Sequence, residues 1–198
     1  MNLHEPIIID GGYGEGGGQV VRTSLSLAMI TGRPVRLVNI RGGRKKPGLR
    51  PQHLTAVQAC VAVTNARVEG AELGSQELSL FPSTVRAGTY HFNIGTAGAV
   101  TLVVQTVLPA LALAEGKTFL TVRGGTHVPW SPPFQYFAEV FLPTTRQLGN
   151  HCEASIARWG WYPKGGGEIQ VKIERYGSSV AGLVDQPFEL QRITGLSA

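Results

Sequence analysis

The feature that most constrains the fold is that the chain is written twice. Arg41-Gly42-Gly43 recurs as Arg123-Gly124-Gly125, and Pro51, which opens a helical pattern, recurs at the same spacing as Pro133. Gly14-x-Gly16 has its counterpart in Thr96-x-Gly98, with the first glycine lost, and Phe81-Pro82 aligns with Tyr162-Pro163 one residue out of step. Such self-similarity marks one supersecondary unit repeated. In each copy an apolar strand comes first (6–10 and 89–94). A Gly-containing turn then leads into an apolar helix (18–31 and 97–114). A second strand rich in Val, Leu and Ile follows (34–41 and 118–123), then a loop, then a Pro-started helix (51–65 and 133–148). Two more strands close each copy, at 67–72 with 77–81 and at 151–158 with 168–174.

The repeated unit is therefore β-α-β-α-β-β, and its alternation of helices and strands predicts an α/β (α+β) fold of two-layer sandwich units. The first unit is expected over 1–84 and the second over 85–176. Residues 177–198 shift to Gly and Ser and are expected to be a connector and the start of a truncated insert domain.

Composition narrows the class. Hydrophobic content of 42% with 16% charged residues is that of a globular protein, not a disordered one. The net charge of +5 and a sequence pI near 9.5 favour a polyanionic partner. The run 97–114 carries no charge, but Thr101, Gln105, Thr106 and Pro109 interrupt it, so it reads as a buried helix and no membrane partner is expected. Cys60 and Cys152 lack Cys-x-x-Cys spacing and read as small buried hydrophobes in a reducing compartment. Residues 1–6 include Glu5 and no basic stretch, unlike a signal peptide.

Two segments could carry chemistry. Asp10-Gly-Gly-Tyr-Gly-Glu15-Gly16-Gly17-Gly-Gln19 lies between a strand and a helix, where the backbone N–H groups of a glycine turn cradle phosphate. Gly12, Gly14 and Gly17 satisfy G-x-G-x-x-G, yet the next strand ends on Arg41 where a dinucleotide site would place an acid. A dinucleotide-binding oxidoreductase is thereby disfavoured. Glu15 amid these glycines suggests a ligand for Mg²⁺ or Mn²⁺. The second segment runs Arg41-Gly-Gly-Arg44-Lys45-Lys46-Pro-Gly-Leu-Arg50-Pro-Gln52-His53 and holds five cations without an acid. By the duplication it leaves the same end of the sheet as the Glu15 turn, where open α/β folds gather ligands. His53, in the first turn of a helix beside cations, should have a lowered pKa, and capping or phosphate contact suits it better than nucleophilic attack. Gln105 is a lone amide in an apolar helix. His127, Trp130, Pro132 and Tyr136 are flat groups able either to sandwich a base or to pack as a lid.

Taken together, Gly14-Glu15-Gly-Gly-Gly-Gln19, Arg41-x-Gly-Arg44-x-Lys46-Pro-Gly-Leu, Gln52-His53-Leu-Thr-Ala-Val57, Val68-Glu-Gly-Ala-Glu-Leu-Gly-Ser-Gln76 and Gln105-Thr-Val-Leu-Pro-Ala110 resemble the RNA 3′-terminal phosphate cyclase family, in its ATP-dependent branch. The resemblance runs from about Ile7 to Glu174. It implies an enzyme of the ligase class that converts an RNA 3′-phosphate end to a 2′,3′-cyclic phosphate. In that family ATP adenylylates a histidine, AMP passes to the RNA 3′-phosphate, and the vicinal 2′-hydroxyl expels it. Three β-α-β-α-β-β units and a smaller inserted domain are implied for the complete enzyme, in the cytoplasm.

Carried over residue by residue, Glu15 matches the metal-binding carboxylate, and Arg22, Arg41, Arg44 and Gln52 match residues around the phosphates. Gln105 matches a nucleotide contact, and Pro132 and Tyr136 fall where the adenine pocket is lined. The family's nucleophilic histidine lies in the third unit, and none of His4, His53, His91, His127 or His151 matches it. The chain alone is thus expected to lack adenylyltransferase chemistry. A non-catalytic RNA-binding or assembly fragment of the cyclase-like family is the alternative. Loss of the third unit would expose an apolar edge, so a homodimer is expected.

Overall fold

The periodicities read from the sequence become two copies of one layered unit. The computed structural model describes residues 5–175 together with Gly195, so the 177–198 connector lies outside the described residues apart from that glycine. The first copy runs β1 (Ile7–Asp10), α1 (Gly18–Thr31), β2 (Val35–Val38), α2 (Pro51–Thr64), β3 (Arg67–Glu69) and β4 (Leu78–Phe81). The second runs β5 (Thr89–Asn93), α3 (Val100–Leu111), β6 (Thr118–Gly124), α4 (134–147), β7 (His151–Arg158) and β8 (Gly167–Glu174).

Each copy forms a mixed four-stranded sheet, β1-β2-β4-β3 and β5-β6-β8-β7. The first two strands pair parallel, Ile7 beside Val35 and Thr89 beside Phe119, which obliges the chain to cross over through a helix. The last two strands then enter antiparallel. Alternate side chains of the central strands are buried (Val35, Leu37, Leu78 and Leu80; Leu120, Val122, Ile169, Val171 and Ile173), so the helices cover one face of each sheet. The fold is two-layered, and one continuous core joins both copies, with Val21, Leu25, Val57, Val63, Val104 and Leu108 meeting between the helices.

Helix ends follow local chemistry. α1 stops at Gly32, at a left-handed φ of 66°, and α2 starts on Pro51 and stops at Asn65, at φ 51°. The 97–114 run is a buried helix, as expected, but only over Val100–Leu111. Its first residues are taken by sheet-like bonding instead: Gly125 N–H donates to Gly98 O at 2.7 Å and Val100 N–H to Gly125 O at 3.0 Å. No helix among the described residues is long and apolar enough to cross a membrane. Cys60 and Cys152 are both buried free thiols.

Several boundaries depart from the sequence reading. β2 ends at Val38, not Arg41, because Asn39 and Arg41 turn to left-handed φ of 51° and 54°. β3 ends at Glu69 as the chain turns at Gly70. The 133–148 helix is broken by a π-turn over Phe137–Phe141. Pro143 has no N–H to offer Glu139 O, so the helical ladder slips to a wider register there. Phe81-Pro82 and Tyr162-Pro163 are not equivalents: the first pair ends β4, whereas the second lies between β7 and β8.

Candidate functional site

The turn from β1 into α1 builds an open helix N-terminus. Asp10 Oδ1 accepts the Gly12 N–H at 2.9 Å and starts the turn, and Gly16 passes through φ 53°. Gly17 is the N-cap, no side chain caps the helix, and its first turn holds no acid. The first-turn N–H groups therefore keep their affinity for an anion. Gly18 cannot be larger, since a Cβ there would fall on His53 Nε2 and against the Arg22 guanidinium. Arg44 Nη2 would lie 3.3 Å from a Cβ on Gly17, and it also reaches Glu15 Oε2 at 3.4 Å. The structure thus brings Glu15, Gly16, Gly17, Arg22, Arg44 and His53 to one point.

The electrostatics are one-sided. His53 is buried, and desolvation together with Arg41, Arg22 and Arg50 pushes its pKa down to about 3. It is a neutral imidazole whose Nδ1 accepts the Arg50 N–H at 3.1 Å, capping α2 as the sequence reading preferred. Burial also lowers the pKa of Arg22, which marks a guanidinium short of water and lacking an ion-pair partner among the described residues. The Glu15–Arg44 pair is long and open to solvent, with the Glu15 side chain 94% exposed. Such a pair contributes little, so either partner is free to engage a phosphate or a cation.

Two other basic-loop residues are occupied differently from the sequence expectation. Arg41 is not displayed: its Nη1 donates to Lys46 O at 2.8 Å and Gly48 O at 2.9 Å, so it braces the loop that presents Arg44. Gln52 reaches into the second copy, where its Oε1 accepts the Ala99 N–H at 3.0 Å beside the start of α3. It ties the two copies together and leaves only its NH₂ for other use. Gln105 opens onto the groove between α1 and α3 with Gln19, Arg22 and Phe141. Pro132 sits beside that helix, its carbonyl accepting from Thr101 Oγ1 at 2.9 Å. Tyr136 lies on α4, 48% exposed, without a hydrogen bond among the described residues that would tie it to Gln105.

A second constellation escaped the sequence reading in part. His127 stacks on Trp159 and on Trp161, with ring centroids 4.5 and 4.7 Å apart, and the two indoles stack at 5.8 Å. The spacing of two tryptophans two residues apart was the available signal, since such residues share a face of an extended strand.

For a divalent cation, no cluster of three or more His, Cys, Asp or Glu occurs among the described residues. Glu15 alone is an open carboxylate beside a phosphate cradle. That set fits Mg²⁺ or Mn²⁺, which keep most of their waters and bind through one carboxylate plus substrate phosphates.

A family model described as RNA 3′-terminal phosphate cyclase matches residues 13–196. The chain is 57% identical over 172 residues to the RNA 3′-terminal phosphate cyclase of Methylococcus capsulatus, covering 83% of this chain and 48% of that protein. The protein of the same name in Nostoc punctiforme is 48% identical over 97% of this chain and 57% of its own length. That of Pyrococcus furiosus is 44% identical over 96% and 56%. The chain thus spans about half the length of the curated relatives it matches. Among solved structures, the enolpyruvyl transferase NikO of Streptomyces tendae is similar at a TM-score of 0.41 and 16% identity over 80% of this chain and 30% of its own.

Proposed function

The chain belongs to the RNA 3′-terminal phosphate cyclase family, and on that footing we propose that it supplies the phosphate-binding half of an ATP-dependent enzyme turning RNA 3′-phosphate ends into 2′,3′-cyclic phosphates. The observation that carries this reading is the convergence of Arg22, Arg44 and neutral His53 on the uncapped N-terminus of α1, with Glu15 at its mouth. The α1 N–H groups and the two guanidiniums neutralise phosphate oxygens and hold them in line. Burial of Arg22 strengthens its pull on charge that develops there. His53, fixed by Arg50 and unprotonated at neutral pH, keeps the floor of the cradle free of a counter-ion. Gln105, on the groove shared with Arg22, would meet the nucleotide, with Pro132 beside the same helix. Glu15 would hold Mg²⁺ or Mn²⁺, whose charge assists departure of the leaving phosphate.

None of the described histidines is presented as a nucleophile at this cradle. His53 is buried and bonded to backbone, and His127 packs against two indoles. The histidine that accepts AMP is therefore assigned to the part of the relatives this chain does not span. The apolar Leu27 and Ile30 of α1, beside Phe141, form an open face on which a second copy or the remainder of the enzyme would dock.

The test is binding of single-stranded RNA that ends in a 3′-phosphate or a 3′-hydroxyl, with Mn²⁺ and ATP present. The reading expects at least about ten-fold preference for the phosphate, from one charge-assisted contact set. Equal binding would sink it. A covalently labelled chain after incubation with α-labelled ATP would move the nucleophile into this polypeptide, and His53 and His127 would then be tested.

A further inference from the structure

All three tryptophans of the chain lie in two loops at one end of the second sheet, Trp130 in the loop before α4 and Trp159 and Trp161 at the end of β7. Trp130 is 99% exposed, Trp159 40% and Trp161 44%, and neighbouring Tyr162 is exposed as well. So much open aromatic surface in one place marks a surface that something covers.

The loops are held rigidly. Thr126 N–H donates to Gly160 O at 2.8 Å, and Gly160 N–H returns to Thr126 Oγ1 at 2.9 Å. His127 N–H also donates to Gly160 O, at 3.1 Å. Both ring nitrogens of His127 are engaged, Nδ1 by the Thr126 hydroxyl at 2.8 Å and Nε2 by the Gln135 side-chain oxygen. With its nitrogens spent, the imidazole offers only its face, to the two indoles. The three rings are nearly parallel, within 27° of one another.

Charge selects the occupant. Exposed Arg158 and Lys164 flank the indoles, and neither 124–138 nor 158–167 contains an acidic residue. Arg158 faces Glu168 across β7 and β8, a carboxylate it shares with Arg123, whereas Lys164 has no ion-pair partner among the described residues. Flat apolar faces beside such a cation suit a polyanion carrying flat bases, not a basic peptide or a cation. The loop that follows Trp161 also touches the segment that Gln52 ties to the first copy. Gly165 packs against the backbone of Thr96 and Ala97, and Ala99, two residues on, is bonded to Gln52, which adjoins His53.

We propose that Trp159 and Trp161, backed by His127, form a stacking platform for the bases of single-stranded RNA upstream of the end held at the α1 cradle. The identification of the strand as RNA rests on the function proposed above; the stacking does not.

The experiment uses the Trp130→Phe chain, in which only Trp159 and Trp161 emit, titrated with short oligoadenylates ending in 3′-phosphate or 3′-hydroxyl while binding is followed separately by anisotropy of a labelled strand. The platform predicts that both oligonucleotides quench the emission. Trp159→Leu and Trp161→Leu should each weaken binding about ten-fold, the effect of removing one stacking ring. Quenching without preference for the 3′-phosphate would uphold the platform and overturn the cyclase reading. Preference for the 3′-phosphate with unchanged emission, and unchanged affinity in the leucine variants, would overturn the platform and leave that reading standing. Quenching by Mg·ATP but not by RNA would assign the indoles to the nucleotide, and absence of any RNA binding would likewise overturn the proposal.

Discussion

The loops that follow the second strand in each copy occupy the same topological place and have become chemical opposites. After β2 the chain presents Arg44, Lys45 and Lys46, with Arg41 turned inward to brace the loop carbonyls. In the second copy the counterpart of Arg41 is Arg123, which still lies in β6 and is neutralised by Glu168 at 2.5 Å, and the loop goes on to aromatic residues and prolines. Glu168 answers by titrating below the usual carboxylate range, held there by its hydrogen bond to Arg123. One skeleton therefore carries two surfaces, positive in one copy and flat and apolar in the other. Duplication preserves the hydrogen-bonded ladder and the core; the loops, which anchor through a few buried residues such as Ile40 and Leu49, are freer to diverge.

The comparison breaks or sharpens in four ways. The largest effect is expected at Gly18: Gly18→Val drives a side chain into His53 and Arg22, and affinity for inorganic pyrophosphate should fall about a hundred-fold, measured by calorimetry. Gly98→Val, at the second copy's counterpart of Gly16, should leave that affinity nearly unchanged, because it abuts Ile94 and the stem of Gln52 instead of a cation. Next comes Gln52→Leu, which strips the Ala99 N–H of its acceptor between the copies. It should cost about 1–3 kcal/mol of stability in chemical denaturation.

Acid should weaken the first copy through His53. Its folded pKa of about 3 lies below the ordinary value of 6.5, so the stability is fully present above pH 6.5 and is lost as pH falls toward 3. The slope should approach about 1.4 kcal/mol per pH unit, and His53→Gln should flatten it in thermal melts. The smallest effect is expected for Arg123→Ala, which removes a partly exposed ion pair and should change stability by about 1 kcal/mol.

The order of elements was legible because strands and helices here obey simple patterns: alternating Val and Leu in β2, proline opening α2, glycine after α1. The cradle was legible for the same local reason, since Glu15 and the glycines around it occupy consecutive positions. What escaped were the targets of long side chains. Nothing in the sequence tells that Arg41 bends back onto Lys46 and Gly48, or that Gln52 crosses to Ala99, because those partners meet only once the loops are folded. The π-turn had its signal in Pro143, whose missing N–H forces the slip. The Phe81-Pro82 match misled because two similar aromatic-Pro dipeptides fell at opposite ends of the last strand.

The central claim is that phosphate is read by the first copy and not by the second. Calorimetric titration of Mg·ATP into the chain, into Arg22→Gln/Arg44→Gln and into Trp159→Leu/Trp161→Leu tests it most directly. The account predicts that the arginine pair of substitutions weakens binding about a hundred-fold, the loss of two charge-assisted contacts, whereas the tryptophan pair leaves it close to that of the parent. Undiminished binding without the two arginines, or a loss confined to the tryptophan variant, would contradict it.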